Sequence, residues 1–156
     1  MTVEDYMKDA IRLAETGMNK GEGGPFGAVV VRDGEVIGRG WNRVLATNDP
    51  TAHAEITAIR NACSLTGSYW LEGAEIFVNC EPCPMCLSAI YWARIEKLTF
   101  AASRDDAAAI GFDDALIYKE ICLPADERSI TIRQQGRAEA VRGMQKWLQL
   151  ADKHRY

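Results

Sequence analysis

Apolar residues recur near the start of the chain at Val3, Met7, Ala10, Ile11, Ala14 and Met18, the spacing of one helical face, and this predicts a helix running to Gly17–Lys20. Thr2 with Asp5 three residues on supplies a capping box at its start. Gly21, Gly23, Gly24 and Pro25 break the period. The β-branched run Phe26-Gly27-Ala28-Val29-Val30-Val31 then predicts a strand, and Asp33-Gly34 turns it into a second strand over residues 35–39, a hairpin. Helical spacing returns from Thr51 to Leu65 through Ile56, Ala58, Ile59 and Ala62, and stops at Gly67. Glu75-Ile76-Phe77-Val78-Asn79 is short and β-rich, so it reads as a strand. Pro84 to Ala93 predicts a helix with proline in its first turn, and Lys97-Leu98-Thr99-Phe100-Ala101 a further strand.

The pattern weakens after residue 101. A short helix is expected over 105–109, an irregular stretch from Gly111 to Pro124 with an extended piece at Leu116–Tyr118, and a closing helix from Arg137 to His154. There is no repeat and no low-complexity linker. A hairpin followed by helix–strand alternation points to an α/β fold, a three-layer α/β/α sandwich around a mixed sheet. At 156 residues the chain fits one domain, 1–156, and excludes a tandem array.

Charge and cysteine usage narrow the class. The net charge is −4, with 12 basic and 20 acidic side chains in residues 1–130 but 6 basic and 2 acidic in 131–156. An acidic body argues against nucleic acid as a partner, while the basic tail keeps a local strip open through Arg133, Arg137, Arg142, Lys146, Lys153 and Arg155. The first ten residues carry Glu4, Asp5 and Asp9 where a secretory signal needs positive charge, and no apolar run reaches the ~18 residues of a membrane span, so a cytoplasmic location without membrane attachment is expected. A chain of this size holds together without disulfides. Its five cysteines, clustered at Cys80, Cys83 and Cys86, therefore read as metal chemistry in a reducing compartment.

Two segments thirty residues apart present metal-binding side chains at predicted helix starts: His53-Ala54-Glu55 and Pro82-Cys83-Pro84-Met85-Cys86. A catalytic zinc takes three protein ligands and leaves its fourth position to water, and His53, Cys83 and Cys86 make such a set, for one Zn²⁺ per subunit. A helix N-terminus favours thiolate through its unpaired N–H groups and dipole. Glu55 supplies an acid–base group beside the metal. On a regular helix His53 and Glu55 would point about 200° apart, so His53 must lie in a non-helical lead-in turn, which Asp49-Pro50-Thr51 can form. Cys63, Cys80 and Cys122 read as buried or half-buried thiols, since a fourth thiolate would close the site to water. A lone Cys-x-x-Cys also serves redox or structural-zinc roles, but His53 with Glu55 has no task in either. His-x-Glu followed by Pro-Cys-x-x-Cys is the signature of zinc-dependent nucleobase deaminases.

The segments Asp49-Pro50-Thr51-Ala52-His53-Ala54-Glu55-Ile56, Cys80-Glu81-Pro82-Cys83-Pro84-Met85-Cys86 and Ile90-Tyr91-Trp92-Ala93-Arg94 resemble the cytidine deaminase superfamily. Over nearly its whole length the chain is similar to its small bacterial guanine deaminases. The resemblance implies a five-stranded mixed sheet with helices on both faces, zinc on His53, Cys83 and Cys86, Glu55 as proton shuttle, and hydrolysis of guanine to xanthine and ammonia in purine salvage or catabolism. Bacterial tRNA adenosine deaminases share the zinc motif, so adenosine in tRNA, a guanine nucleoside or another amino-heterocycle stay open as substrates.

Guanine offers donors at N1 and N2 and acceptors at O6 and N7, so its pocket wants a carboxylate and an amide. The resemblance assigns these to Asp114 and Asn42, with Phe26 against the base plane and Ala54 beside it. Asn42 also reads as a turn cap, Phe26 as core and Asp113-Asp114 as a solvated acidic pair. Trp92 reads as a core aromatic or as a pocket wall. The resemblance also implies a homodimer in which residues 131–156 form a swapped C-terminal lid carrying Tyr156 to the neighbour's site; packing of the basic helix on its own acidic body, or a frayed terminus, are the alternatives.

Overall fold

The computed structural model describes residues 2–156 and divides them into two units, residues 2–114 and 115–156. In the first, helix α1 (Val3–Asn19) leads to strands β1 (Gly27–Arg32) and β2 (Glu35–Trp41), a single helical turn α2 (Val44–Thr47), helix α3 (Ala54–Thr66), strand β3 (Ala74–Cys80), helix α4 (Pro84–Trp92), strand β4 (Lys97–Ala102) and helix α5 (Arg104–Ala109). The expected capping box forms at Thr2 and Asp5, and a second closes on Ser103 and Asp106. Thr51 is not helical, because His53 caps the helix that follows.

The sheet is mixed, in the order β2-β1-β3-β4; β1 runs antiparallel to both neighbours and β3 is parallel to β4. Four strands, not five, pair among the described residues. The piece at Leu116–Tyr118 expected to be extended lies instead in a helix, since Leu116, Ile117 and Ile121 share helical spacing. Period-two alternation splits β1 and β3 between two cores. Ala28, Val30, Ile76 and Val78 pack with Ala54, Ala58 and Ala62 of α3 and Ile90 of α4, whereas Val29, Val31 and Phe77 pack with Tyr6, Ala10 and Leu13 of α1. Helices thus cover both faces, giving the three-layer α/β/α sandwich.

Strand β2 admits α3 closely through its glycines. A Cβ on Gly38 would run into the backbone of Ala58 and Ala62, and one on Gly40 into the backbone of Ala54 and Ala58. Small residues on both sides let α3, which starts at the candidate site, sit tight on the sheet.

The second unit holds α6 (Ala115–Ile121), a 3₁₀ turn (Ala125–Glu127) and α7 (Arg137–Leu148). Arg128 ties its loop by donating to the carbonyls of Leu123 at 3.0 Å and Ile121 at 3.3 Å. The closing helix ends at Leu148 rather than His154. No residue of this unit is buried, and Leu116, Ile117, Ile121, Met144 and Leu148 are exposed. No described helix is long and apolar enough to cross a membrane.

Candidate active site

The loops before α3 and α4 adopt the same local solution. His53 and Cys83 are the N-caps of their helices, extended at φ −69°, ψ 162° and φ −67°, ψ 167°. The lead-in turn to His53 is an Asx turn, with Asp49 Oδ1 accepting from the Thr51 N–H at 2.8 Å and its hydroxyl at 2.7 Å. Pro84 occupies the first turn of α4, where no N–H is needed. Because His53 stands outside the helix, Glu55 in the first turn can share its site.

His53 Nδ1 lies 3.6 Å from Cys83 Sγ and 3.5 Å from Cys86 Sγ, and the three donor atoms all lie within 4.8 Å of one another. A tetrahedral zinc with Zn–S ~2.3 Å and Zn–N ~2.05 Å places its nitrogen and sulfur ligands about 3.6 Å apart. The donor set fits zinc in both chemistry and spacing.

The local electrostatics treat the two thiols differently. The hydrogen bond from Cys86 holds Cys83 down to about 4 against burial, with His53 assisting, while that same bond, burial and the charge of Glu55 push Cys86 up. Hydrogen bonding to Cys83 raises His53. Cys80 stays a thiol, pushed up to about 11 by burial first and then by the charge of Glu55, and its S–H donates to the Ser103 carbonyl at 3.7 Å. The metal-ligand cluster forms without it. Cys63 is half-buried, as expected; Cys122 is exposed, contrary to the expectation of a shielded thiol.

Glu55 is 7% exposed, and burial raises its carboxyl above the usual range. Its interactions with Cys86, Cys83 and His53 put it against the donor cluster. A buried carboxyl that favours keeping its proton suits acid–base work.

The residues expected to read a base lie in several places. Asn42 is buried, and its Oδ1 accepts from the N–H groups of Gly24 at 3.3 Å and Val44 at 3.1 Å. Asp114 is half-buried; burial raises its carboxyl, Arg104 lowers it and the charge of Cys83 raises it further, while its own charge is felt at Cys80. Phe26 packs on the core and meets Phe112 edge-on, with ring centroids 5.0 Å apart. The methyl of Ala54 is a core group, so only its backbone N–H, a first-turn donor without an intrahelical acceptor, remains for a ligand. Trp92 is not a core aromatic: it is 62% exposed, in the last turn of the helix that Cys83 caps. Tyr156 belongs to the second unit and is exposed.

Two residues that pack on or around Phe26 leave no signal in the sequence. Phe112 was hidden in a weakly patterned stretch. Asn79 looks like an ordinary strand residue, yet its amide accepts from the Gly27 N–H at 2.8 Å and donates to the Pro25 carbonyl at 2.9 Å, clasping both sides of Phe26. Pairing of an Asn with a Gly-Pro-aromatic loop fifty residues away leaves no local signal.

Comparison with known proteins agrees with this geometry. The family described as the cytidine and deoxycytidylate deaminase zinc-binding region matches residues 1–102. A guanine deaminase from Bacillus subtilis is 51% identical over 156 residues, 100% of both chains. An X-ray structure of guanine deaminase from Bacillus subtilis superposes with a TM-score of 0.96 over 100% of this chain and 99% of its own, at 51% identity. A tRNA-specific adenosine deaminase from Aquifex aeolicus is 45% identical over 102 residues, 65% of this chain and 67% of its own. The match takes in α3, α4 and every donor of the His–Cys–Cys cluster, and the chain belongs to the cytidine and deoxycytidylate deaminase zinc-binding family.

Proposed function

We propose that this chain is a zinc-dependent guanine deaminase, converting guanine and water to xanthine and ammonia. The observation that carries the substrate is extent: likeness to a guanine deaminase runs through all 156 residues at 51% identity, whereas the tRNA-specific adenosine deaminases match over 62–83% of the chain at 40–46%.

In this reading His53 Nδ1, Cys83 Sγ and Cys86 Sγ hold the zinc. When bound, the ion supplies a Lewis-acidic charge that can bring the pKa of a water to ~7. Glu55 Oε takes a proton from the water that attacks C2 of guanine and returns it to the departing amino group, so that ammonia leaves and a carbonyl oxygen replaces it. Asn42 Nδ2 donates to the O6 and N7 side of the purine, Asp114 accepts from its N–H edge, the Ala54 N–H lies alongside, and Phe26 covers the ring. Burial of Glu55 keeps its proton from exchanging freely with solvent.

The unburied apolar side chains of residues 115–156 support a further reading, that this segment seats on a second copy and brings Tyr156 to that copy's substrate, making the enzyme a homodimer. Five free cysteines and the acidic surface suit a reducing, cytoplasmic setting.

The test is ammonia and xanthine release from guanine by zinc-quantified protein, run beside an adenosine-containing anticodon stem-loop. Glu55→Gln keeps shape and all three metal donors, so zinc stays bound while turnover falls by about 10²–10⁴-fold. Turnover of the stem-loop instead of guanine, or near-normal activity of the Gln variant, overturns the assignment.

A further inference from the structure

The amide of Asn42 has one permitted orientation. Two backbone N–H groups converge on a single side-chain atom, which must therefore be oxygen, and the NH₂ group points away. No buried side-chain nitrogen or oxygen among the described residues lacks a partner, so Nδ2, which bonds to none of them, opens onto accessible space with both hydrogens available. That orientation depends on the loop 21–24 staying where it is. Gly23 packs so closely that a Cβ there would collide with Asn42 Oδ1 and come within 2.6 Å of its carbonyl oxygen. Such a loop has no slack.

Glu22 holds this loop in place from four directions. Its carbonyl accepts from the N–H groups of Leu45 at 3.1 Å and Ala46 at 3.0 Å. Its carboxylate oxygen Oε2 accepts from Trp41 Nε1 at 2.8 Å and Arg43 Nε at 3.0 Å, the two residues flanking Asn42 in sequence. Each neighbour of Asn42 is thus tied to the residue that precedes the glycines lying against its amide.

We propose that Glu22 is a positioning residue for the deamination, acting through Trp41 and Arg43 to keep Gly24 N–H on Asn42 Oδ1 and so to present Nδ2 to the purine. It touches no substrate, and its kinetic role rests on the guanine reading above. The Trp41 bond foremost, and then Arg43, holds its carboxyl below the usual range against burial, so the clamp is ionised at neutral pH.

Glu22→Gln and Trp41→Phe test this in the zinc-loaded full-length protein. The Gln variant keeps a neutral oxygen for both donors but loses the charge that strengthens each bond and pairs with Arg43; Trp41→Phe removes one donor and leaves the carboxylate. Each lowers kcat/KM for guanine about 10- to 100-fold, since small misplacement of a binding group is costly, and chiefly through KM because the contact is made to bound base before and during reaction. On an Asn42→Ala background Glu22→Gln costs less than about twofold, the non-additivity expected of residues acting as one unit. The side-chain NH₂ resonances of Asn42, assigned by their loss in Asn42→Ala, shift or broaden in Glu22→Gln. Unchanged kinetics and unchanged resonances overturn the proposal, as does an equal loss with and without Asn42. Resonances that respond in a protein inert toward guanine uphold the clamp and reject the substrate.

Discussion

Replacing Gly40 by alanine tests whether the close seat of α3 on β2 sets the site. The added Cβ would lie 2.5 Å from the carbonyl oxygen of Ala54 and 2.5 Å from the N of Ala58, with Thr57 Cβ at 2.9 Å. The first two are backbone atoms of α3, so no rotamer change relieves them. Reaching an ordinary contact of about 3.4 Å requires the helix to move by about 0.9 Å. Overpacking of this kind costs roughly 1–3 kcal/mol. At roughly 2–4 °C per kcal/mol for a chain of this size, Tm falls by about 2–12 °C. The moving helix is capped by His53 and carries Glu55, so this one donor and the acid–base group shift together relative to Cys83 and Cys86. A displacement near 1 Å can cost ~10²-fold in rate, and zinc affinity falls with it. Calorimetry, zinc titration and guanine kinetics on the one variant read all three effects. A Tm within about 1 °C of wild type with undiminished kcat/KM would refute the reasoning, because it would mean that α3 has room to accept the methyl.

Asp9 supports α1 on the sheet by accepting from Arg12 at 2.5 Å and Arg39 at 2.7 Å. Burial acts to raise its carboxyl, but the two guanidinium bonds outweigh it and hold Asp9 below its ordinary 3.8. Its contribution is therefore present above pH 3.8 and is lost as pH falls through the lower folded value, so the Tm gap between wild type and Asp9→Asn closes in acid; a constant gap refutes the assignment. On the proposed reading of the pocket, Asp114→Ala lowers kcat/KM for guanine about 10- to 100-fold with zinc content unchanged; equal loss of zinc would make its role structural instead. Deleting Tyr156 raises KM for guanine if it closes a neighbour's site, and unchanged kcat and KM exclude the lid.

Much of the frame was legible because its determinants are local. The capping box at Thr2, the hairpin turn at Asp33-Gly34, the β-branched run of β1 and the proline opening α4 are short-range signals, and each element they announce is present. The extended piece at 116–118 was misread because apolar residues in a short window do not distinguish strand from helix. The fifth strand came from resemblance alone and is absent from the described sheet.

The chemistry divides along the same line. His53, Glu55, Cys83 and Cys86 were identifiable from spacing alone, because a zinc centre needs particular side chains at particular helix starts and a chain can write both within a few residues. Tertiary structure decided how close the donors come, how deeply Glu55 is buried, which way the Asn42 amide faces, and that Asn79 and Glu22 hold the rim. Those properties belong to pairs of residues 18–54 positions apart, whose meeting depends on how the sheet and helices pack and leaves no periodicity in the chain.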